Sequence, residues 1–565
     1  MHVERRALRL NQASPVSPGE AIFIGPTEMT TNRPWSDGYV THLEYTHGVY
    51  REMSPAMIRF ALVCSGYAPP SFDREFSYCE LGFGQGTGLN LLAATNPNGN
   101  FFGTDFNSTH VLNARRLAAS AGLTNLSVTD DSFATYARRR DLPDFDVIAL
   151  HGIYSWISEA NRTEVIEFLK ARAKPGALVY VSYNCLPGWA PMIPMQWLMN
   201  RSMNYATSGG ATFTTRIAQS LDLLKRVADQ PTGYFAIHKG AKDYLSRVVT
   251  QDANYVAHEY LNNDWHPKHF MDVAQELQVA RLDYLCSADV GGLIDDLNVS
   301  SETVKFLAEI KEPIFRQQLR DFATNTKFRR DLFARGFRKL PPAQREAMIR
   351  GTPINLVRPR SRCELNVKTN IGRGELKAAL YNPLFDSLAE SSKTIDQLVQ
   401  SPELKHFGFR NVVNAVIAIT GIGYGQPGLP ELAPKATEIS RRMNLALLED
   451  AVANPADAIA HLAAPDLSTG IHVAPLSKLF LAAVQAGQCE TPEACAEFAH
   501  QRLALTGRQI VQNDRSVSDA GDSLRALTEG ARDWISNEVP VLRRLRVPVS
   551  LPSLDDSFVL NAGGR

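Results

Sequence analysis
The stretch Cys79-Glu80-Leu81-Gly82-Phe83-Gly84-Gln85-Gly86-Thr87-Gly88 decides the fold. It closes a run with strand character, Ser77 to Leu81, and opens a helical pattern, Gly88 to Ala94. A glycine-rich turn between strand and helix lets the backbone approach a ligand closely, because no Cβ intervenes. Two nucleotide-binding motifs fail on spacing. Gly-x-Gly-x-x-Gly needs a glycine at its sixth position, and counting from Gly82, Gly84 or Gly86 that position holds Thr87, Leu89 or Leu91. A P-loop needs a following Gly-Lys-Ser/Thr, which this stretch lacks. What remains is Glu-x-Gly-x-Gly-x-Gly, with a carboxylate at Glu80 that suits a cationic ligand.

Outward from this turn, short apolar strands alternate with helical patterns. The strands are expected at Asn100–Thr104, Leu126–Val128, Phe145–Leu150 and Ala177–Ser182, with helices at Ser108–Ala121 and Arg162–Ala173. That rhythm predicts a parallel sheet covered on both faces. Acidic residues recur at successive strand ends. Asp105 closes Phe102-Gly103-Thr104-Asp105, 19 residues beyond Gly86, where a carboxylate can accept both hydroxyls of a ribose. Asp130-Asp131-Ser132-Phe133 follows the third strand, and the fourth ends in Leu150-His151. Open α/β sheets bind ligands outside the carboxyl ends of their strands, so these positions form a set.

In this loop and these strand ends the chain resembles class I S-adenosylmethionine (SAM) dependent methyltransferases. The resemblance implies SAM as cofactor. It places Glu80 at the methionine ammonium, Gly82, Gly84 and Gly86 along methionine and ribose, and Asp105 with Phe106 at the ribose. Asp131 and Ser132 fall at the adenine amine, Phe133 on the adenine face, and His151 at the transferred methyl. Further runs are more specific: His151-Gly152-Ile153-Tyr154-Ser155-Trp156, Ser182-Tyr183-Asn184-Cys185-Leu186-Pro187-Gly188-Trp189, His258-Glu259-Tyr260-Leu261-Asn262 and Trp265-His266-Pro267-Lys268-His269. These resemble bacterial methyltransferases with a methyltransferase regulatory domain, a group that includes rickettsial protein-lysine methyltransferases. The resemblance spans roughly residues 35 to 300 and fades around Asp321–Phe333. It implies a protein substrate. His151, Tyr154, Tyr183 and Asn184 are the expected catalytic residues. The segment Tyr39 to Tyr50, with Tyr39, Tyr45 and His47, is the expected lid, and Trp156 lies on the substrate side.

The expected fold class is α/β: a Rossmann-like SAM-binding parallel sheet, a helical insertion and a mostly helical C-terminal half. The 565 residues exceed one core. We divide them into a catalytic core with N-terminal lid at 1–195 and a helical regulatory region at 196–300, whose end (Pro267–Leu277, then Ala280–Leu285) reads as a closing helix–strand pair of the core sheet. A domain at 301–435 carries a winged-helix-like unit at Tyr381–Gln400 and Phe407–Gly421, and 436–565 is helical.

Lys+Arg and Asp+Glu are each 59, so the chain has no general pull toward nucleic acid or acidic membranes. The basic run Val357-Arg358-Pro359-Arg360-Ser361-Arg362 reads as solvated surface. No secretory signal or membrane span is visible, and a cytoplasmic protein is expected, with a homodimer compatible. Cys64, Cys79, Cys185, Cys286, Cys363, Cys489 and Cys495 are scattered and read as reduced thiols. No metal site is expected: a second histidine after His258-Glu259 would fall at 262, which is Asn, and His266 with His269 lacks a third ligand.

Three readings of the acceptor stay open: a protein lysine, a small molecule, or SAM binding without turnover. Lysine poses its own problem, because with a pKa of about 10.4 its neutral form costs about 4.6 kcal/mol at pH 7. A lysine enzyme therefore needs an aromatic, dry channel or a proton acceptor. It also expects an open groove bordered by C-terminal domains, whereas a small-molecule enzyme expects a closed apolar pocket.

Overall fold
The computed structural model describes residues 47–205, 211–251, 256–257, 260–262, 264–369, 372–455, 459–507, 510–512, 515–517 and 519–549. Its centre is a seven-stranded sheet in the order β3-β2-β1-β4-β5-β7-β6. The strands β1 (Phe76–Leu81), β2 (Gly99–Thr104), β3 (Leu126–Thr129), β4 (Phe145–Leu150) and β5 (Ala173–Asn184) run parallel. β1 is buried along its whole length and β4 nearly so, as expected for inner strands of a sheet covered on both faces. Helices α1 (Pro55–Cys64), α2 (Thr87–Thr95), α3 (Ser108–Ser120), α4 (Phe133–Arg138) and α5 (Glu159–Arg172) flank it. Their starts are set by local chemistry: Asn107, Ser132 and Ser158 each accept a backbone N–H of the first turn.

After β5 the chain leaves the sheet for α6 (Ile193–Tyr205), α7 (Phe213–Ala228), α8 (Tyr234–Ile237) and α9 (Lys239–Val248), which share their own apolar cluster around Met199, Leu224 and Trp265. It returns through the helix Phe270–Gln278 to β6 (Asp283–Ser287) at the sheet's edge. Arg281, with φ 59°, turns the chain between them, so the strand starts later than the apolar run from Ala280 indicated. β7 (Phe328–Ala334) then inserts antiparallel between β5 and β6. The sheet thus takes its seventh strand from beyond residue 300, and the division expected there does not separate that segment from the core.

The C-terminal half adds small antiparallel units. β8 (Pro353–Leu356) pairs with β11 (Lys393–Thr394) and β12 (Gly425–Pro427), and β9 (Asn366–Thr369) pairs with β10 (Gly372–Glu375). A hairpin of β13 (His461–Ala464) and β14 (Thr469–His472) follows. This half is fastened to the core. Ala56 N–H donates to Ser468 Oγ at 3.0 Å, Asn96 Nδ2 donates to Ser468 O at 3.0 Å, and Leu91 and Ala94 of α2 share a cluster with Leu447, Leu462 and Phe480. One expectation is corrected: Cys489 and Cys495 are paired as a disulfide, because the loop ahead of the helix Pro492–Leu505 brings their Cα atoms to 4.6 Å. The other five cysteines are free and buried. Among the described residues no helix is long and apolar enough to cross a membrane.

Candidate active site
The turn after β1 is left-handed at Gly82 (φ 69°), Gly84 (φ 60°) and Gly86 (φ 72°). A Cβ on Gly82 would stand 2.6 Å from Ile153 Cγ2, and one on Gly86 2.5 Å from Ala114 Cβ, so both conformation and space demand glycine. Asp105, at the end of β2, holds the turn from the side. Its Oδ2 accepts the Gly84 N–H at 2.8 Å, and its Oδ1 accepts the Asn107 N–H at 3.0 Å and lies 3.1 Å from His110 Nδ1.

Glu80 is 6% exposed, and its Oε2 is buried with no hydrogen-bond partner. Burial, helped by the nearby Asp105 charge, pushes its carboxyl up to about 8. It faces a pocket lined by Gly48, Tyr50, Gly82, Gly84, His151 and Thr469 among others. An unpartnered buried carboxylate oxygen beside a glycine cradle fits a cationic ligand end that lies close to the backbone.

His151 closes the far wall. Its ring stacks on Tyr50 with centroids 3.4 Å apart, and Nδ1 lies 2.8 Å from the Tyr180 hydroxyl. Burial, with the charge of Arg330, pushes the imidazole down to about 3, so it is neutral at physiological pH. A chain of donors stands behind it. The Gly152 N–H donates to Ser182 Oγ at 2.9 Å, and the Ser182 hydroxyl bonds the Tyr180 oxygen. With the Tyr180 O–H donating to Nδ1 the ring proton would sit on Nε2, and with Nδ1 protonated the bond would run the other way.

Residues 79–179 match the family described as "Methyltransferase domain", and residues 252–335 match "Predicted methyltransferase regulatory domain". The uncharacterized protein sll1526 of Synechocystis sp. is 34% identical over 514 residues, covering 91% of this chain and 99% of that protein. The chain belongs to the SAM-dependent methyltransferases with a methyltransferase regulatory domain. The protein RP789 of Rickettsia prowazekii is 28% identical over 333 residues, 57% of this chain and 56% of its own. Among solved structures, PKMT2 from Rickettsia typhi in complex with AdoHcy shares the fold at a TM-score of 0.64 and 16% identity, covering 89% of this chain and 99% of that one. The cofactor of the methyltransferase is SAM, whose ammonium and sulfonium suit the Glu80 carboxylate and the glycine cradle.

Of the residues singled out from the sequence, Glu80, Gly82, Gly84 and His151 meet in the pocket, with Gly86 and Asp105 shaping the turn. Asp131 sits at the end of β3, paired with Arg139 at 3.0 Å, and Ser132 caps α4. Phe106 is half-buried beside Asp105, and Phe133 packs against the apolar cluster containing Phe145. His47 Nδ1 lies 2.7 Å from Thr87 Oγ1, which ties the start of the described chain onto α2. Tyr39 and Tyr45 lie outside the described residues.

The expected ribose and adenine residues Phe106, Asp131, Ser132 and Phe133 are not part of the pocket's lining, and neither are Tyr154, Tyr183, Asn184 and Trp156. Tyr154 is fully buried and its hydroxyl donates to Glu276 Oε2 at 2.7 Å. The buried Tyr183 hydroxyl donates to Asp331 Oδ2 at 2.8 Å, within a group that also holds Arg329 and Asp321. Side chains alternate along a strand, so Tyr183, three residues beyond Tyr180, packs on the opposite face of β5 from the one that reaches His151. Asn184 is buried and uses its backbone N–H on Ser155 Oγ at 2.8 Å. Trp156 stacks on Trp265, against the helical insertion. Sequence reasoning missed Tyr180, Ser182 and Thr469. Counting by two from His151's face of the sheet finds the first two, and nothing local marks Thr469.

A second cavity adjoins the first at Val49 and Tyr50. It is an open cleft of about 1540 Å³ between the core and the C-terminal half, bordered by Arg51, Arg358, Arg362, His461, His472 and Glu538. His461 stands 5.4 Å from His472 across the β13–β14 hairpin, and burial pushes it down to about 4.

Proposed function
We propose that this methyltransferase transfers the methyl group of SAM to lysine side chains of a protein. The observation that carries the reading is the open cleft, which reaches the cofactor pocket at Tyr50 and is walled by the C-terminal half. A folded protein can present a side chain along such a groove, whereas a small molecule calls for enclosure. The shared fold with a protein named PKMT2 agrees with it.

When bound, SAM supplies a methyl on a sulfonium, a leaving group already activated, so the protein's work is to hold, align and dry. Glu80 takes the ammonium, the backbone of Gly82, Gly84 and Gly86 follows the methionine and ribose, Asp105 with Phe106 meets the ribose, and Asp131, Ser132 and Phe133 meet the adenine. Tyr50 and His151 form the wall nearest the cleft. Burial against an uncharged imidazole, away from water, disfavours an ammonium and favours the neutral amine that can attack. Neutral and held through Nδ1 by the Tyr180 hydroxyl, His151 acts by orientation; alignment of the acceptor with the methyl supplies roughly 7–11 kcal/mol.

The test is methyl-labelled SAM added to lysate of the host, comparing wild type with Asp105→Ala. Protease-sensitive label recovered as methyl-lysine is expected. Label that extracts into organic solvent, with none in protein, would replace the reading by a small-molecule methyltransferase.

A further inference from the structure
The arginine run that reads as solvated surface in the sequence is divided by the structure. Arg360 pairs with Asp386 at 2.5 Å, and Arg362 pairs with Glu538 at 3.3 Å and with Asp533. Arg51, across the cleft, pairs with Glu52 at 3.3 Å. Arg358 has no anionic partner among the described residues. Its guanidinium carbon lies 4.9 Å from the centre of the Tyr424 ring, and Tyr424 is itself buried. A guanidinium over an aromatic ring spends no N–H on an acceptor there, so its donors stay available to a carboxylate.

Position gives that cation its meaning. Arg358 and Tyr424 line a third cavity, of about 1700 Å³, under the β9–β10 hairpin, where Lys368 and Arg373 are exposed. Arg358 also lines the cleft that ends at Tyr50. It therefore stands at the junction of the two cavities, on the path leading away from the cofactor pocket.

We propose that Arg358 is a specificity-determining residue that binds a carboxylate side chain flanking the acceptor, so that the substrate is an acidic protein segment laid along the cleft. This rests on the protein-lysine reading above. The exposed Arg358 gives up only water to meet a carboxylate, whereas Arg360 and Arg362 must also give up the carboxylates they already hold.

The test uses the full chain saturated with S-adenosylhomocysteine and two fluorescent peptides of equal length, one with a central lysine flanked by aspartates and one with the flanks changed to alanine. Anisotropy should show the aspartate peptide binding about tenfold tighter at low salt, with the difference shrinking as salt rises. Arg358→Ala should abolish the difference, and Arg358→Glu should turn the preference toward a lysine flanked by arginines. Equal binding of the two peptides by wild type, or a preference unchanged in both variants, would overturn the proposal, as would tighter binding of a phosphate-rich oligonucleotide than of the aspartate peptide. Methylation with labelled SAM is read in parallel. An aspartate preference that depends on Arg358 without methyl transfer to the lysine would sink the lysine reading and leave the carboxylate site standing.

Discussion

Glu80 makes SAM binding a proton-linked event. In the folded protein its carboxyl is pushed up from 4.5 to about 8 by burial, so at pH 7 roughly nine in ten empty pockets hold it protonated. An arriving ammonium requires the ionised form. Binding at pH 7 should therefore release close to one proton, and the dissociation constant should fall about tenfold per pH unit from 6 to 7.5. Above that range the α-amino group of the ligand titrates, near 7.7–8.0, and the slope should flatten. The sign for stability is opposite. A carboxyl whose folded pKa is raised contributes stability that is full below about 4.5 and is lost as pH rises through about 8, on the order of 4–5 kcal/mol across the window. Glu80→Gln should then melt with wild type near pH 5 and above it at pH 9 without ligand, while binding SAM about 30- to 100-fold more weakly at pH 7.5 and with no pH slope. Calorimetric titration in two buffers of different ionisation enthalpy reads the proton count directly. A flat dissociation constant, no proton release and full affinity in Glu80→Gln would together refute the role given to this carboxylate.

Four further outcomes follow from the geometry. Tyr180→Phe removes the hydrogen-bond partner of His151 Nδ1; nitrogen chemical shifts of His151 should report a changed tautomer balance, and turnover should drop about tenfold or more with SAM affinity little changed. Tyr183→Phe and Tyr154→Phe should keep turnover per folded molecule within about twofold, because their hydroxyls are committed to Asp331 and Glu276, away from the pocket; a loss of 100-fold would restore them as catalytic residues. Gly86→Ala, at φ 72° and 2.5 Å from Ala114 Cβ, should cost about 1–3 kcal/mol in chemical denaturation and weaken SAM binding. Arg329→Ala leaves the buried Asp321 and Asp331 without their cation; a loss of about 3–5 kcal/mol is expected, and an unchanged denaturation midpoint would show the group to be dispensable.

Legibility in the sequence followed the range of the forces involved. The sheet's parallel part was visible because short continuous apolar runs, helix caps and glycine turns act over a few residues, and strands such as Phe145–Leu150 lie where the apolar run put them. The cofactor loop was visible for the same reason, since Gly82, Gly84 and Gly86 answer to local backbone geometry. Tyr183 misled because it stands in a distinctive run, yet the pleat turns it to the face opposite His151, and the less conspicuous Tyr180 takes the contact. β7 escaped notice because an antiparallel strand arriving from beyond residue 300 has no local mark of its partner.

From its sequence alone this protein is a class I methyltransferase with a SAM-binding turn, because that identity rests on residues close together along the chain. Only the tertiary structure sets Tyr50 against His151, brings Thr469 to the pocket wall and leaves Arg358 without an anionic partner among the described residues while Arg360 and Arg362 find theirs. Most of those contacts join segments far apart along the chain, 176 residues for Arg362 and Glu538. Burial and charge pairing between such segments depend on how the C-terminal half packs on α2 and the sheet, and no local pattern encodes that packing.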